Sequence, residues 1–426
     1  MSSIQENKRS PWLWIPSLYL TEGLPYIIVI SISIVMYRDM NISNTDIAFY
    51  TSLLYLPWVI KPLWSPLVDI FSTKRRWILI TQLLMAIGLG GIAFSLPSTH
   101  FFLYSLLFFW LLAFCSATHD IAADGFYMLG LSSNQQAYFV GIRTTFYRLA
   151  TIVGIGSIFM VSDSLQQHLS PSQSWLFINS GLGIFFLLLG LYHYYILPQP
   201  ISDYPHGKNK EIFKEFISTF ISFFHKKHIG TALAFMLLFR LSESQLLKLV
   251  YPFLLDSKEN GGLALNTANV GFIYGSLGMI ALTIGGIIGG ILIARHGLKH
   301  WIGWMTLAIN LPNFIYIYLA LFQPENLILI TTLLTIEQFG YGFGFSAYTF
   351  YLILFSAGEH KTAHYALCTG FMALGMMLPG MISGWISDTF GYPSFFMWVM
   401  LCTIPSFIVT RYLKIPESHT SSVSQK

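Results

Sequence analysis

Long apolar segments recur along the whole chain, and short stretches of Pro, Gly or charged residues separate them. Their lengths match the roughly 20 apolar residues that a helix needs to cross a bilayer. Transmembrane β-strands would be shorter and would alternate between apolar and polar positions. The pattern therefore predicts about twelve transmembrane helices, at residues 11–37, 45–70, 77–97, 101–129, 134–161, 174–197, 228–254, 266–294, 300–322, 326–356, 361–387 and 393–413.

One polar segment, residues 198–227, is longer than the other connections and divides the chain. It separates an N-terminal bundle, residues 1–197, from a C-terminal bundle, residues 228–426, with six predicted spans in each. We expect this segment to be a cytoplasmic linker whose second part forms an amphipathic helix on the membrane surface. The predicted fold is an all-α membrane protein with two pseudo-symmetric six-helix bundles.

The two predicted halves share a basic turn, which follows the second span and the eighth. Asp69 lies at the end of the second span and is followed by Arg75 and Arg76, whereas Arg295 follows the eighth span. Equivalent positions in two six-span halves are typical of transporters built from parallel repeats. We therefore expect these four residues to form a cytoplasmic gate. Simple solvation of Asp69 at the membrane edge is the alternative.

The composition narrows the class of protein. Of the 426 residues, 54% are hydrophobic and 10% are charged, whereas a soluble domain carries roughly 25% charged residues. So little charge cannot cover the surface of a soluble protein, which excludes a soluble enzyme and a nucleic-acid-binding protein. The high hydrophobicity and the net charge of only +4 exclude a disordered chain. The composition therefore predicts a protein that is embedded in a lipid bilayer.

The Lys and Arg residues outside the spans favour one orientation. If the N-terminus is cytoplasmic, sixteen of them lie on the cytoplasmic side and two, Arg38 and Lys258, lie on the other. Positive residues concentrate in cytoplasmic loops. The distribution predicts that both termini are cytoplasmic and that the number of spans is even.

Ionisable residues inside the spans are confined to six of the twelve helices. Such residues are costly in lipid and mark cavities or ion pathways. We expect the first, fourth, seventh and tenth spans to line a central cavity, with the second and fifth beside it. The third, sixth, ninth and twelfth spans are then lipid-facing supports. The mixture of acids and bases in both halves favours an alternating-access carrier over a channel.

Four of these residues are predicted to form a charge network, namely Lys61, Asp120, Asp124 and Arg143. A rise of about 1.5 Å per residue places Lys61, Asp120 and Arg143 at a similar depth. Asp120 and Asp124 are four apart and share a helix face. We expect this network to couple protons to transport. A static network that holds the N-terminal half together is the alternative.

A second set of residues is predicted to contact the substrate. Arg240 and Glu243 share a face of the seventh span near the midplane, and an Arg can bind a carboxylate through two parallel hydrogen bonds. The alternative is that Glu243 only neutralises Arg240. Pro25 should kink the first span and open space around Glu22. The full set is Glu22, Tyr26, Trp58, Tyr147, Arg148, Arg240, Glu243, Glu337 and Gln338.

Several stretches resemble the AmpG-type muropeptide permeases of the major facilitator superfamily. They are TEGLPY, IKPLWSPLVD and SATHDIAADGFY in the first half, and LLFRLSES, VGFIYGSLGMIALTIGGIIGG and HYALCTGFMALGMMLPGMISGWISD in the second. The resemblance covers nearly the whole chain, and the acidic positions of that family match Asp69, Asp120 and Asp124. It implies a proton-driven symporter of the Gram-negative inner membrane. Such a symporter imports anhydromuropeptides for peptidoglycan recycling.

Two other functions compete with muropeptide import. The Leu56-Pro57-Trp58 sequence before Val59 is similar to siderophore importers of the same superfamily. A membrane-embedded enzyme or sensor is a third possibility, but the sequence contains no HExxH, no GxSxG and no clustered His ligands. No catalytic residue, cofactor or metal site is therefore predicted. We expect a small-molecule substrate and a protein that functions as a monomer.

Overall fold

The computed structural model describes residues 9–200, 203–204, 210–358 and 360–415. Within these ranges the chain is helical and contains no strand. Nine helices in the described part of the chain are long and apolar enough to cross a membrane. The remaining predicted spans are present as interrupted or fused helices, so the predicted twelve-helix fold is confirmed.

The N-terminal half contains six helical spans. The second span is interrupted at Leu54 and Tyr55, and its second helix starts with Pro57 in the first turn. A Pro is tolerated there because the first amide groups of a helix have no partner within it. In chain order the spans are Pro11–Asp39, Asn44–Leu53 with Leu56–Phe71, Lys74–Ser95, Phe101–Gly130, Ser133–Thr151 with Ile152–Ser157 and Ile158–Gln166, and Pro171–Ile196.

The C-terminal half repeats this plan. Its seventh span is interrupted at Phe239 and Arg240, whereas the eleventh and twelfth spans follow each other without a loop. Gly391 divides these two spans because its φ of 77° lies in the left-handed region that favours glycine. The helices are Ile229–Leu238 with Leu241–Leu255, Thr267–His296, Leu298–Phe322, Leu327–Ser356 and Lys361–Tyr412.

Polar caps define where several spans begin. The side chains of Ser132 and Ser170 each accept a hydrogen bond from the backbone amide three residues later. The side chains of Gln135 and Gln173 in turn accept a hydrogen bond from the backbone amide of the Ser cap. These reciprocal bonds satisfy amide groups that the helix itself leaves free. Each such cap contributes about 1 kcal/mol to helix stability. The fifth and sixth spans therefore start at well-defined positions in the sequence.

The second part of the linker forms the predicted helix, Lys210–Phe224. Its described end packs on the C-terminal half, where the buried Phe223 ring stacks on Phe371 at 6.1 Å between centroids. Ser222 Oγ lies 3.0 Å from His364 Nε2. Lys226, just after the helix, donates to the Phe355 carbonyl at the end of the tenth span. The helix is thus attached to the protein, not only to the membrane surface that the sequence suggested.

Hydrogen bonds join the two halves at the end of the bundle away from the termini, which we call the distal end. Arg38 of the first span donates to Asp256 at the end of the seventh over 2.9 Å. The backbone and hydroxyl of Thr45 both donate to Asp388 Oδ2 over 2.7 Å. We call Arg38, Thr45, Asp256 and Asp388 the distal latch. It closes the distal end in this structure.

Glycines allow the helices of the two halves to touch near the same end. A Cβ added at Gly275 of the eighth span would overlap the backbone of Gly156 in the fifth. A Cβ added at Gly384 of the eleventh span would overlap the backbone of Asn44 in the second. Small residues permit such close helix packing in membranes. Both contacts reinforce the closure that the distal latch makes.

Candidate functional site

The N-terminal half holds two ion pairs between neighbouring spans. Lys61 of the second span donates to Asp120 of the fourth. Arg143 of the fifth span donates through Nη1 to Asp124 Oδ1 over 2.9 Å. Asp120 and Asp124 are one turn apart and share a face of the fourth span. The structure therefore brings together the four residues of the predicted charge network, as two pairs.

These two pairs are partly exposed to solvent. The exposed fraction of the side chain is 23% for both Lys61 and Asp120, 30% for Arg143 and 43% for Asp124. Exposure of this kind reduces the cost of placing charges within the span region. The two pairs are therefore not fully enclosed by protein in the conformation described.

Aromatic side chains hold the Arg143 guanidinium in place. Its Nη1 donates to the Tyr19 hydroxyl over 3.0 Å, and that hydroxyl donates to Asp124 Oδ1 over 3.2 Å. The guanidinium carbon lies 5.0 Å from the ring centres of both Tyr19 and Tyr127. Cation–π contacts of this length are favourable. Tyr19 thus belongs to the network, although its sequence position gave no sign of it.

Glu22 lies beside the two pairs but belongs to neither. It is 7% exposed, and its Oε2 has no hydrogen-bond partner among the described residues. Asp120 and Asp124 both lie near it. The first span crosses the fifth at the next residue, Gly23, where a Cβ would lie 2.9 Å from the Tyr147 carbonyl. This close crossing fixes Glu22 in a buried position next to two carboxylates.

The C-terminal half contains a buried pair formed by Arg240 and Glu243. Arg240 Nε donates to Glu243 Oε2 over 2.8 Å, and Nη2 donates to Oε1 over 2.6 Å. Nη2 also donates to the Tyr341 hydroxyl over 2.9 Å, and the guanidinium lies 4.8 Å from the Phe345 ring centre. Glu243 therefore occupies the fork of Arg240 that was expected to bind a substrate carboxylate.

The break in the seventh span positions this pair. Arg240 has non-helical torsion angles and precedes the first turn of Leu241–Leu255, in which Glu243 lies. The break frees backbone carbonyls, and Ser406 of the twelfth span donates to those of Leu238 and Phe239. A buried carbonyl without such a partner would be costly. A span predicted to be a support therefore stabilises the irregular backbone.

Glu337 of the tenth span is buried among uncharged partners. Its Oε2 accepts from the Tyr316 hydroxyl over 3.2 Å and from Gln338 Nε2 over 2.8 Å. The Tyr316 hydroxyl also contacts that of Tyr274. No ion pair among the described residues includes Glu337. Glu22 and Glu337, one in each half, are thus buried acids that form no ion pair within the described part of the chain.

The predicted aromatic residues approach the centre from the N-terminal half. Tyr26 and Trp58 meet edge to face with ring centres 5.2 Å apart. Tyr26 also lies near Arg240 of the other half. Arg148 is half-buried and faces the eighth span, where a Cβ at Gly286 would lie 4.0 Å from its Nη2. Residues of the predicted substrate set from the two halves therefore meet in the middle of the bundle.

The residues of the predicted cytoplasmic gate do not form one cluster. Arg75 donates to the backbone carbonyls of Leu197 and Tyr194 within its own half, and its backbone amide donates to Asp203. Arg76 and Arg295 are exposed. Asp69 lies in the helix Leu56–Phe71, but its side chain is outside the described part of the structure. The gate therefore remains a prediction.

A buried polar chain behind the network was not predicted. Ser17 Oγ lies 2.9 Å from His193 Nε2, and His193 Nδ1 lies 3.0 Å from Gln82 Oε1. Gln82 Nε2 in turn lies 3.0 Å from His119 Nε2. Gln82 and His193 belong to the third and sixth spans, which were expected to face lipid. Counting only Asp, Glu, Lys and Arg overlooked these two polar residues in apolar segments.

A comparison with protein families matches residues 18–357 to the Major Facilitator Superfamily. The chain belongs to this superfamily. It is 25% identical to the anhydromuropeptide permease of Escherichia coli (strain K12), over 87% of this chain and 73% of that protein. This relative confirms the resemblance to AmpG-type permeases. The family and this relative are transporters, and the chain is accordingly a multi-pass membrane protein of a transporter family.

Solved structures share the fold of this superfamily member. A D-xylose–proton symporter matches with a TM-score of 0.71 and 9% identity, over 94% of this chain and 96% of that one. A bacterial homologue of the human lysosomal transporter Spinster, in an inward-facing conformation, matches with a TM-score of 0.67 and 14% identity, over 94% and 96% of the two chains. At these identities the likeness shows the fold alone.

Proposed function

We propose that this member of the Major Facilitator Superfamily imports anhydromuropeptides together with protons. In this proposal it lies in the inner membrane with both termini in the cytoplasm. The name of the Escherichia coli relative suggests the substrate class, since the two chains are 25% identical over 87% of this one. The arrangement of buried and exposed charges supports coupled transport.

One asymmetry carries the transport proposal. The distal latch joins the halves at one end, whereas the pairs Lys61–Asp120 and Arg143–Asp124 keep side-chain exposures of 23–43%. Solvent that reaches these pairs then enters from the end that carries the termini. A carrier that alternates between two bundles opens to one side at a time. With cytoplasmic termini, this arrangement corresponds to a state that is open to the cytoplasm.

We assign proton exchange to Glu22 and the neighbouring charge network. Asp120 and Asp124 each have a basic partner, whereas Glu22 Oε2 has no hydrogen-bond partner and lies near both carboxylates. A proton on Glu22 would remove a third negative charge from this group. Exchange between Glu22 and the exposed pairs would link the proton to the cavity. In this proposal Lys61 and Arg143 set the charge balance of the network.

The substrate contacts proposed here surround the centre of the bundle. Tyr26, Trp58 and Tyr147 offer ring faces of the kind that pack on sugar rings, while Arg148 is a half-buried cation without an acidic partner among the described ion pairs. The Arg240–Glu243 pair and the Glu337–Gln338 pair supply polar groups from the other half. A solute with both sugar and peptide parts could contact both sets at once.

Uptake into proteoliposomes tests this function. Labelled anhydromuropeptide should accumulate when the outer pH is lower than the inner pH, and a protonophore should abolish the accumulation. Vesicles prepared without the protein serve as the inactive control. Absence of uptake under either polarity would contradict muropeptide import. Accumulation of an iron–siderophore complex in the same vesicles would instead favour the siderophore alternative.

A further inference from the structure

Lys248 is a buried cation of the seventh span that forms no ion pair among the described residues. It is 2% exposed, and its Nζ donates to Thr51 Oγ1 over 3.0 Å and lies 5.0 Å from the Tyr55 ring centre. An ammonium group has three donors, so two of them meet no oxygen acceptor among the described contacts. The partly exposed Lys61 and the buried Arg240, in contrast, each bind a carboxylate.

An unpaired hydroxyl lies across one glycine from the aliphatic stem of Lys248, at the contact between the two halves. A Cβ added at Gly380 of the eleventh span would lie 3.4 Å from Lys248 Cγ and 2.6 Å from Ser52 Oγ. The Ser52 hydroxyl is fully buried and has no hydrogen-bond partner among the described residues. Unsatisfied buried groups of this kind are costly. The stem of Lys248 and the Ser52 hydroxyl therefore border one glycine. Among the described contacts the ammonium has one oxygen acceptor, Thr51, and the hydroxyl has no partner.

The position of Lys248 along its helix relates it to the distal latch. It lies eight residues from Asp256 and eight from Arg240, which corresponds to about 12 Å in each direction at 1.5 Å per residue. When the latch opens, a solute from the distal side would reach Lys248 before it reaches Arg240. Glu243 already occupies the fork of Arg240. An anionic group that arrives from the distal side thus meets Lys248 first, and no carboxylate among the described ion pairs already occupies this cation.

We propose that Lys248 and Ser52 form a binding site for an anionic group, a carboxylate of the transported solute, that opens when the distal end opens. The free ammonium donors and the hydroxyl supply hydrogen bonds, which are strong when one partner is ionised. On closure, Thr51 and the Tyr55 ring replace the carboxylate as neighbours of the ammonium. The solute identity rests on the proposed function, whereas the anion site rests on these contacts.

Charged thiol reagents test the site without any solute. Ser52→Cys is placed in a variant that carries Arg38→Ala and Asp388→Ala to open the latch and that lacks Cys115, Cys368 and Cys402. The anionic sulfonatoethyl and the cationic trimethylammonioethyl methanethiosulfonates are applied from the distal side. Each rate is divided by the rate of the same reagent with a free small thiol, because the cationic reagent is intrinsically faster with a thiolate. On this scale the anionic reagent should react about tenfold faster, as expected near an unpaired cation. The ratio should fall to about one in Lys248→Met and persist in Lys248→Arg.

Two controls keep the result decisive. Lys258→Met removes a surface cation of the distal side, which pairs with Glu325, and should leave the ratio unchanged. Ser244→Cys, on the seventh span beside Gly380, replaces the reporter if Ser52→Cys does not fold. Equal rates for the two reagents, a ratio that survives Lys248→Met, or no reaction in the opened variant would each overturn the proposal.

A solute experiment separates this inference from the proposed function. Uptake of anhydromuropeptide is compared with uptake of its carboxyl-amidated analogue, and Lys248→Met should raise KM for the first towards that for the second. If the ratio of the two KM values is the same in Lys248→Met and in the wild type, Lys248 does not bind the carboxylate of the solute. If the wild type transports neither compound, the muropeptide proposal fails, and the thiol rates still decide whether Lys248 forms an anion site.

Discussion

Arg38 Nε donates to Asp256 Oδ1 over 2.9 Å, so the last turn of the first span is tied to the end of the seventh. The two residues belong to different halves and remain 26% and 21% exposed. A partly exposed ion pair contributes about 0–1 kcal/mol. The tie is therefore strong enough to bias the distal end towards closure and weak enough to break in each transport cycle.

Removing the distal latch should open the distal end. Arg38→Ala combined with Asp388→Ala removes both hydrogen-bonded ties of the distal latch, and the distal-open population should increase. Spin labels at the exposed positions Phe49 and Glu259 should then show a longer distance. Lys258→Met, which breaks an ion pair within the C-terminal half, is the matched control. An unchanged distance distribution in the double variant would show that the latch does not hold the closed state.

Glu22→Gln should uncouple transport from protons. The amide keeps the shape of the buried side chain but cannot release a proton, so accumulation driven by a pH gradient should be lost. Exchange of labelled for unlabelled solute, which needs no net proton movement, should continue. Glu325→Gln changes an exposed glutamate and serves as the control. Normal gradient-driven accumulation by Glu22→Gln would assign the proton to another acid.

Asp120→Asn should abolish uptake while the protein still inserts into the membrane. The reason is that Lys61 loses its carboxylate partner and the network loses an acid. The exchanged pair Lys61→Asp with Asp120→Lys separates the two explanations of the network. If the exchange restores uptake, the pair is a static ion pair, and if it inserts without restoring uptake, the position of the acid matters for protons.

Arg240→Ala should abolish transport and destabilise the protein, since it leaves Glu243 as an unpaired buried charge. Breaking a buried ion pair costs about 3–5 kcal/mol. The double variant Arg240→Met with Glu243→Gln should recover most of the thermal stability and none of the uptake. Thermal unfolding in detergent and uptake in vesicles measure the two effects. Recovery of uptake by the double variant would mean that the pair acts only on folding.

A large side chain at Gly275 should prevent closure of the distal end. Gly275→Leu would collide with the backbone of Gly156, whereas nothing lies within 4 Å of a Cβ at Gly290 on the same span. Gly290→Leu is therefore the matched control. Uptake should be lost in the first variant and kept in the second. Equal uptake by the two variants would show that the fifth and eighth spans need not touch during transport.

The charge network was largely predictable, whereas the closure of the distal end was not. Charges inside apolar helices need partners, which is why the sequence already pointed to Lys61 and Asp120. Arg38 and Asp256, in contrast, lie at helix ends where solvent alone can satisfy a charge, and they are 218 residues apart. Which end is closed depends on the conformation of the two bundles, and periodicity carries no information on it.

The occupation of Arg240 by Glu243 was one of two interpretations open from the sequence. The three-residue spacing permits a pair on one helix face, but it does not show whether the fork points to Glu243 or to the cavity. The break before Arg240 decided the geometry, and this break depends on Ser406, which is far away in the chain. Contacts of this type are set by packing between helices, so sequence spacing could not reveal them.

The attachment of both linker ends sets a mechanical limit on the transport cycle. Asp203 is bound to the start of the third span, and the helix Lys210–Phe224 is packed on the C-terminal half through Phe223. Seven residue steps join Asp203 to Lys210, and a chain extends by at most about 3.6 Å per step. The helix between Lys210 and Phe223 adds about 20 Å, because it rises 1.5 Å per residue. The linker is therefore a tether of at most about 45 Å, and the end of the bundle that carries the termini cannot widen beyond this length without detaching one of the two anchors.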